Sequence, residues 1–487
     1  MLGALSALPS PFSRVDLDNI PIRLPVPDRI TPQNNASFSV SQPLRGFGAP
    51  AQRLPKDPWT DVAAYLPREA LLSLRTVNNQ MATSVDRSIT SLTVSADRVA
   101  AMLAMLYRAD YLNFIDTLTI THCNNRNFPL IADALEMPPW HGAHLIIKAD
   151  KQLPFDEASL SCLQDLPLSS ISIANLKSFT NVGASALARL RYPVSLTLYG
   201  NDLNQRADLC AIAAIPQLTS LTIGGFQTFF GMVADAFEKH PSLSKLTLFG
   251  GIVSSLALKI LASNPALREI DITQMGAIFE LDAIAAIAEN RSIEKLTIGD
   301  ETRHYGAAAA RVLSSNTTLK TLDIALASGL GHLAKMTALE NLTIWGINAT
   351  INKQDAEQFA LHARLKTLIF KSGVKFEAGS LGMIARAAVA TLRCRDVVLT
   401  STDINTLLSN MTLRALDCSF AADAPDCVAH VIALAGHPTL NTLVLRQPNR
   451  AARRGNAVSS MTVVERAAMH AAWTAEGRAL CELKVSV

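Results

Sequence analysis

Apolar residues recur along most of this chain in one short pattern. Its clearest copies read PQLTSLTI, PSLSKLTL, PALREIDI, RSIEKLTI, TTLKTLDI, TALENLTI and PTLNTLVL. The shared core is L-x-x-L-x-L/I, whose last apolar positions alternate with polar ones. A period of two predicts a short strand with one buried face. The second apolar position falls at Leu92, Leu118, Leu145, Ile171, Leu196, Leu221, Leu246, Ile270, Leu296, Leu322, Leu342, Leu368, Val397, Leu416, Leu443 and Leu483. Most steps are 24 to 29 residues, with short steps of 19 to 20 at Leu322–Leu342 and Val397–Leu416. These short steps predict a trimmed connection.

Between the strands lie Ala/Leu-rich stretches such as ADLCAIAAI, SSLALKILASN, LDAIAAIAEN and GAAAARVLSSN, which predict helices. Many end in Asn or His, as at His240-Pro241, Asn264-Pro265, Asn290 and His437-Pro438. Asn accepts a left-handed cap and Pro stops the helix. A period in the twenties with this core is the leucine-rich-repeat signature. The expected fold class is α/β: a leucine-rich-repeat solenoid (a horseshoe) over residues 91–487. Parallel strands line its concave side and helices its outside. Each repeat buries its apolar residues only against its neighbours, so stability is close to additive along the array.

The N-terminal hundred residues break the pattern. Residues 1–50 are rich in Pro, Ser and Asn and predict a flexible leader. Residues 51–90 predict a three-helix module. Asp57-Pro58 opens its first helix. Val62, Tyr65 and Leu66 share one face, and Pro67 ends it. Leu71, Leu72 and Leu74 lie on a second helix, and Met81, Val85 and Ile89 on a third. So small a module has little core of its own. It reads either as a docking element or as a cap on the first repeat.

The stretch Leu54–Asn78 resembles the F-box. The matching pieces are Leu54-Pro55, Val62, Tyr65-Leu66-Pro67, Leu71-Leu72-Ser73-Leu74-Arg75 and Val77-Asn78, in register without a gap. The sequence departs from the family at Pro58-Trp59, and Met81 stands near the place of its usual third-helix Trp. The resemblance implies that Leu54, Pro55, Val62, Leu66, Leu71, Leu72, Leu74 and Val77 pack on the Skp-type adaptor of a Skp–cullin–F-box ubiquitin ligase. GASALARL at Gly183–Leu190 is similar to the GAxALA helix motif of the GALA family, and GAAAARVL at Gly306 is a looser echo. That family consists of leucine-rich-repeat F-box effectors injected into plant cells by bacterial type III secretion. Membership implies a secretion signal in the leader, and a host cytoplasmic or nuclear location.

On the expected concave face, Thr, Ser and Asp flank the buried strand residues. Tyr199, Phe249 and Trp345 follow one step beyond the second of them. Exposed aromatics anchor protein contacts. Tyr199, Phe249, Asp271, Asp323 and Trp345 are therefore the candidate target-binding residues. Net charge is +3, with no nucleic-acid footprint in the overall balance; the one basic cluster, Arg446 to Arg454, reads as a solvated loop. No apolar run is long enough to span a membrane. The seven cysteines have no zinc-ligand spacing and suit a reducing compartment. Phosphate-loop, HExxH and G-x-S-x-G motifs are absent from the sequence. The most tempting nucleophile, Cys394 in Cys394-Arg395-Asp396, enters a strand and is a weak candidate.

The leading expectation is a non-enzymatic substrate receptor without cofactors. Its partners are a host Skp-type adaptor and a host target protein of unknown identity, with no nucleic acid or membrane. The alternative is a leucine-rich-repeat scaffold or inhibitor with no ubiquitin-ligase link.

Overall fold

The computed structural model describes residues 91–108, 116–124, 131, 135, 144–155, 168–179, 194–200, 206–225, 228–229, 231–273, 279–299, 304–346, 349–371, 373–419, 427–446 and 483–486. The segment Leu54–Asn78, with all eight candidate adaptor-binding residues, lies outside the described residues. So do the leader, the GASALARL stretch and Arg450, Arg453 and Arg454 of the basic cluster.

The strands are β1 (Ser91–Ser95), β2 (Thr117–Cys123), β3 (His144–Phe155), β4 (Ser170–Phe179), β5 (Val194–Gly200), β6 (Leu218–Gly224), β7 (Thr228–Phe229), β8 (Lys245–Phe249), β9 (Ile252–Val253) and β10 (Glu269–Thr273). They continue as β11 (Lys295–Gly299), β12 (Thr321–Ala325), β13 (Asn341–Trp345), β14 (Thr350–Ile351), β15 (Thr367–Phe370), β16 (Lys375–Phe376), β17 (Thr391–Val398), β18 (Ala415–Ser419), β19 (Thr442–Arg446) and β20 (Leu483–Ser486). Sixteen of them form one parallel sheet in chain order; β7 pairs with β9 and β14 with β16 in two small parallel sheets. The fold is mixed α/β, a long parallel sheet with helices between its strands. Among the described residues, no helix is long and apolar enough to cross a membrane.

Register follows the apolar pattern. Leu196, Leu221, Leu246, Ile270, Leu296, Leu322, Leu342 and Leu368 stand opposite one another from strand to strand. Each is 0–1% exposed. A one-residue slip would turn the whole column out to water, so burial fixes the pairing.

One position in the column differs from expectation. The residue between Leu368 and Leu416 is Leu392, not Val397. Leu392 and Cys394 fill the two inward places of β17, at 1% and 0% exposure. The register then shifts, so that Val398 faces Ser419. In TLRCRDVV the charges at 393, 395 and 396 hide the alternation, and the apolar pair that follows mimics it. With Leu392 in the column, its neighbours are 24 residues away on each side. The short step at Leu322–Leu342 stands, and there the intervening helix shrinks to the four residues Leu330–Leu333.

The helices follow their apolar faces. Leu281–Glu289 buries Ala283, Ile284, Ile287 and Ala288 against the sheet's apolar column. Ser254 caps the helix Ser255–Leu261 by accepting from the Ala257 N–H at 3.1 Å. Thr400 and Asp403 form a reciprocal capping box on Ser401–Leu408. Asp403 also reaches the preceding repeat, accepting from the Gly382 N–H at 2.7 Å; Asp355 does the same for Gly331 at 2.6 Å. These carboxylates join consecutive helix starts.

The helix-ending Asn residues work differently from expectation. Among the described residues the only non-glycine with positive φ is His122, so these Asn are not left-handed caps. Asn290 is extended, at φ −64° and ψ 140°. Asn264 and Asn316 are 0% and 1% exposed, and Asn410 is buried too. The Asn316 Nδ2 donates to the Ile287 and Asn290 carbonyls at 2.9 and 3.1 Å, and its Oδ1 accepts the Thr318 and Leu319 N–H groups at 2.8 Å each. One side chain thus satisfies two repeats at the turn into a strand. Buried backbone groups there have no water to turn to.

Candidate functional site

In each strand, the residues between the buried ones project from the opposite face of the sheet. Register assembles them into rows. One row runs Thr197, Thr222, Thr247, Asp271, Thr297, Asp323, Thr343. A second brings Tyr199, Gly224 and Phe249 side by side. A third feature, Trp345, ends β13 opposite Ala325.

All five candidate target-binding residues belong to this face. Tyr199 is 39% exposed. Phe249, Asp271, Asp323 and Trp345 are half-buried. The Tyr199 and Phe249 rings meet at 5.0 Å between centroids, tilted by 52°. One strand, β6, separates them, and its Gly224 makes the contact possible. A Cβ at Gly224 would lie 2.3 Å from Phe249 ring carbons. The glycine therefore lets Phe249 lean across β6 to its partner. Ring pairs of this kind add stability beyond their buried area.

The second cluster is charged. Lys371, just after β15, places its Nζ 3.3 Å from the Trp345 ring centroid and 3.9 Å from the Asp323 carboxylate. This is a cation–π contact sharing its cation with an acid. Burial pushes the Asp323 carboxyl up to about 6, against the pull of Lys371 and the Trp345 indole; the Asp271 charge adds to the rise. Asp271 and Asp323 sit two strands apart, roughly 10 Å along the sheet. On the next row, Glu269 binds both Lys245, at 3.2 Å, and Lys295.

Asp417 departs from its expected place. It belongs to the same row by register, beside Arg393, yet it is only 6% exposed. Cys394 is withdrawn altogether. It is 0% exposed, opposite the equally buried Cys418, and burial raises its thiol well above the usual range. A thiol held neutral in the core offers no thiolate for attack.

Sequence reasoning missed Lys371. It follows the strand instead of alternating within it, so no periodic signal marks it. Gly224 was legible only as a gap in the aromatic row. Comparison of the chain with protein-family models gives no match, and comparison with curated proteins gives none either.

Proposed function

We propose that this chain is the substrate receptor of a host Skp–cullin–F-box ubiquitin ligase. The F-box-like stretch Leu54–Asn78 holds the Skp-type adaptor, and the leucine-rich-repeat horseshoe holds a host protein on its concave face. Other subunits of the ligase transfer the ubiquitin. The observation that carries this reading is the gapless register of Leu54-Pro55, Val62, Tyr65-Leu66-Pro67, Leu71-Leu72-x-Leu74-Arg75 and Val77 ahead of a repeat array. The GALA-like motif GASALARL supports delivery by a plant-pathogenic bacterium.

The sheet face supports the receptor half. It presents the aromatic pair Tyr199 and Phe249, then a charged zone around Asp271, Asp323, Lys371 and Trp345. Asp323 is ionised at neutral pH in a setting that opposes its charge. Strongly perturbed groups of this kind cluster at functional sites.

The test is capture of a plant Skp-type adaptor by the full chain, compared with Leu54→Ala/Pro55→Ala. Retention by the wild type and loss by the variant supports the proposal. No capture by the wild type at physiological salt leaves a leucine-rich-repeat scaffold instead.

A further inference from the structure

Among the described residues, polar side chains hold joints between repeats with two chemistries. At Asn264, Asn290, Asn316 and Asn410 an amide ties the end of a helix to the next strand. At His240 and His362 an imidazole makes the same bonds. Its Nδ1 accepts the Leu243 N–H in one joint and the Leu365 N–H in the other, both at 3.0 Å. The Ser242 and Arg364 N–H groups approach the same nitrogens at 3.4 and 3.3 Å. Each Nε2 lies 2.9 Å from a carbonyl of the preceding repeat, Ile215 or Met336. These partners fix the neutral tautomer with its proton on Nε2. His437 stands at the corresponding place after the helix Cys427–Ala435, its Nδ1 accepting the Thr439 N–H at 3.3 Å.

The two joints differ in one respect. An amide gains no proton in mild acid. An imidazole gains one on Nδ1, where two N–H donors already point. The protonated ring loses those bonds and leaves two buried donors unmet. We propose that His240 is an acid-labile release point in the repeat array, its joint opening before those held by Asn264, Asn290, Asn316 and Asn410.

The surroundings are consistent with this. His240 and His362 are 3% and 6% exposed. Burial lowers the pKa of His240 from its ordinary 6.5, and the Ile215 carbonyl opposes the shift. The charged groups on the elements around it are Asp235 and Glu238 on its own helix with Lys239 just beyond, Arg206 and Asp208 on the preceding helix, Lys259 on the next helix, Lys245 on β8 and Arg268 beyond the next joint. For His240 the folded state prefers the neutral ring. As pH falls below 6.5 the unfolded chain takes up the proton first, so the joint's stability is full above that value and drains below it.

Amide hydrogen exchange on the full chain tests the proposal, at about pH 7.5 and about pH 5, each corrected for intrinsic exchange. The Leu243 amide reports the His240 joint. The Ile293 and Leu319 amides, which donate to Asn290 and Asn316, report the Asn joints. In the wild type, acid lowers protection at Leu243 severalfold relative to the other two. In His240→Asn all three amides change alike. Equal change at all three in the wild type overturns the proposal, and so does acid-selective opening that survives in the variant. If the variant does not fold, the wild-type ratio decides alone.

Discussion

Asp323 shows what a single side chain costs on this face. Its carboxyl is raised to about 6, so ionising it at neutral pH works against folding. The sign follows from linkage. Its contribution is fully present below the ordinary 3.8 and is lost as pH rises through 6. Asp323→Asn should therefore stabilise the chain by about 1–2 kcal/mol at pH 7, and by much less at pH 4. Urea unfolding at the two pH values measures this, and an equal effect at both would contradict it. Binding that uses the charge would weaken in the same variant, a common exchange of stability for function. Asn316 has the opposite character. Its four hydrogen bonds span two repeats. Asn316→Ala should cost about 2–4 kcal/mol, because the groups it leaves are buried. A loss under 1 kcal/mol in urea unfolding would show that water replaces the amide. The presence of Asn and His at helix ends was legible in the sequence. Their geometry was not, since a cap and a buried bridge use the same residue at the same place.

At the scale of the element, the strand ladder was legible because two periods coincide. Alternation within each strand and the spacing between strands point to the same leucines. Where charges interrupt the alternation, as at Arg393, Arg395 and Asp396, the pattern slid to Val397 while the structure uses Leu392. Leu392→Ala should cost about 2–5 kcal/mol, as large-to-small changes in packed cores do. Val397→Ala should cost clearly less, because Val397 is only partly buried against the core. Chemical denaturation of the pair ranks them, and a larger loss at Val397 would restore the sliding register. The small pairs β7–β9 and β14–β16 had no signal of their own, being two residues long. Backbone contacts between connections create them. Close approach explains Gly225 in the same region. Its φ is +78°, and a Cβ there would lie 2.2 Å from the Gly200 carbonyl oxygen. Pairing across the edge is also written in charge. Lys320 binds Glu294 at 2.8 Å and Lys366 binds Glu340 at 2.7 Å, each across neighbouring strands. Exposed pairs of this kind contribute little energy but penalise a wrong register.

At the scale of the molecule, the proposed function joins a docking stretch to a presenting surface. The repeat array carries named side chains in a defined order, with an aromatic zone beside a charged one. It has no reactive thiol at Cys394, which lies in the core. The ubiquitin-ligase reading rests on the other half, the F-box-like residues from Leu54 to Val77. Their pattern is a sequence resemblance with two departures, at Pro58-Trp59 and at the third-helix Trp. The most direct measurement is therefore the binding of the purified full-length chain to a purified plant Skp-type adaptor, followed by calorimetry at physiological salt. The account predicts one-to-one binding that weakens at least tenfold in Leu54→Ala/Pro55→Ala and is unchanged in Asp323→Asn. No binding by the wild type, or equal binding by wild type and the Leu54/Pro55 variant, would contradict it.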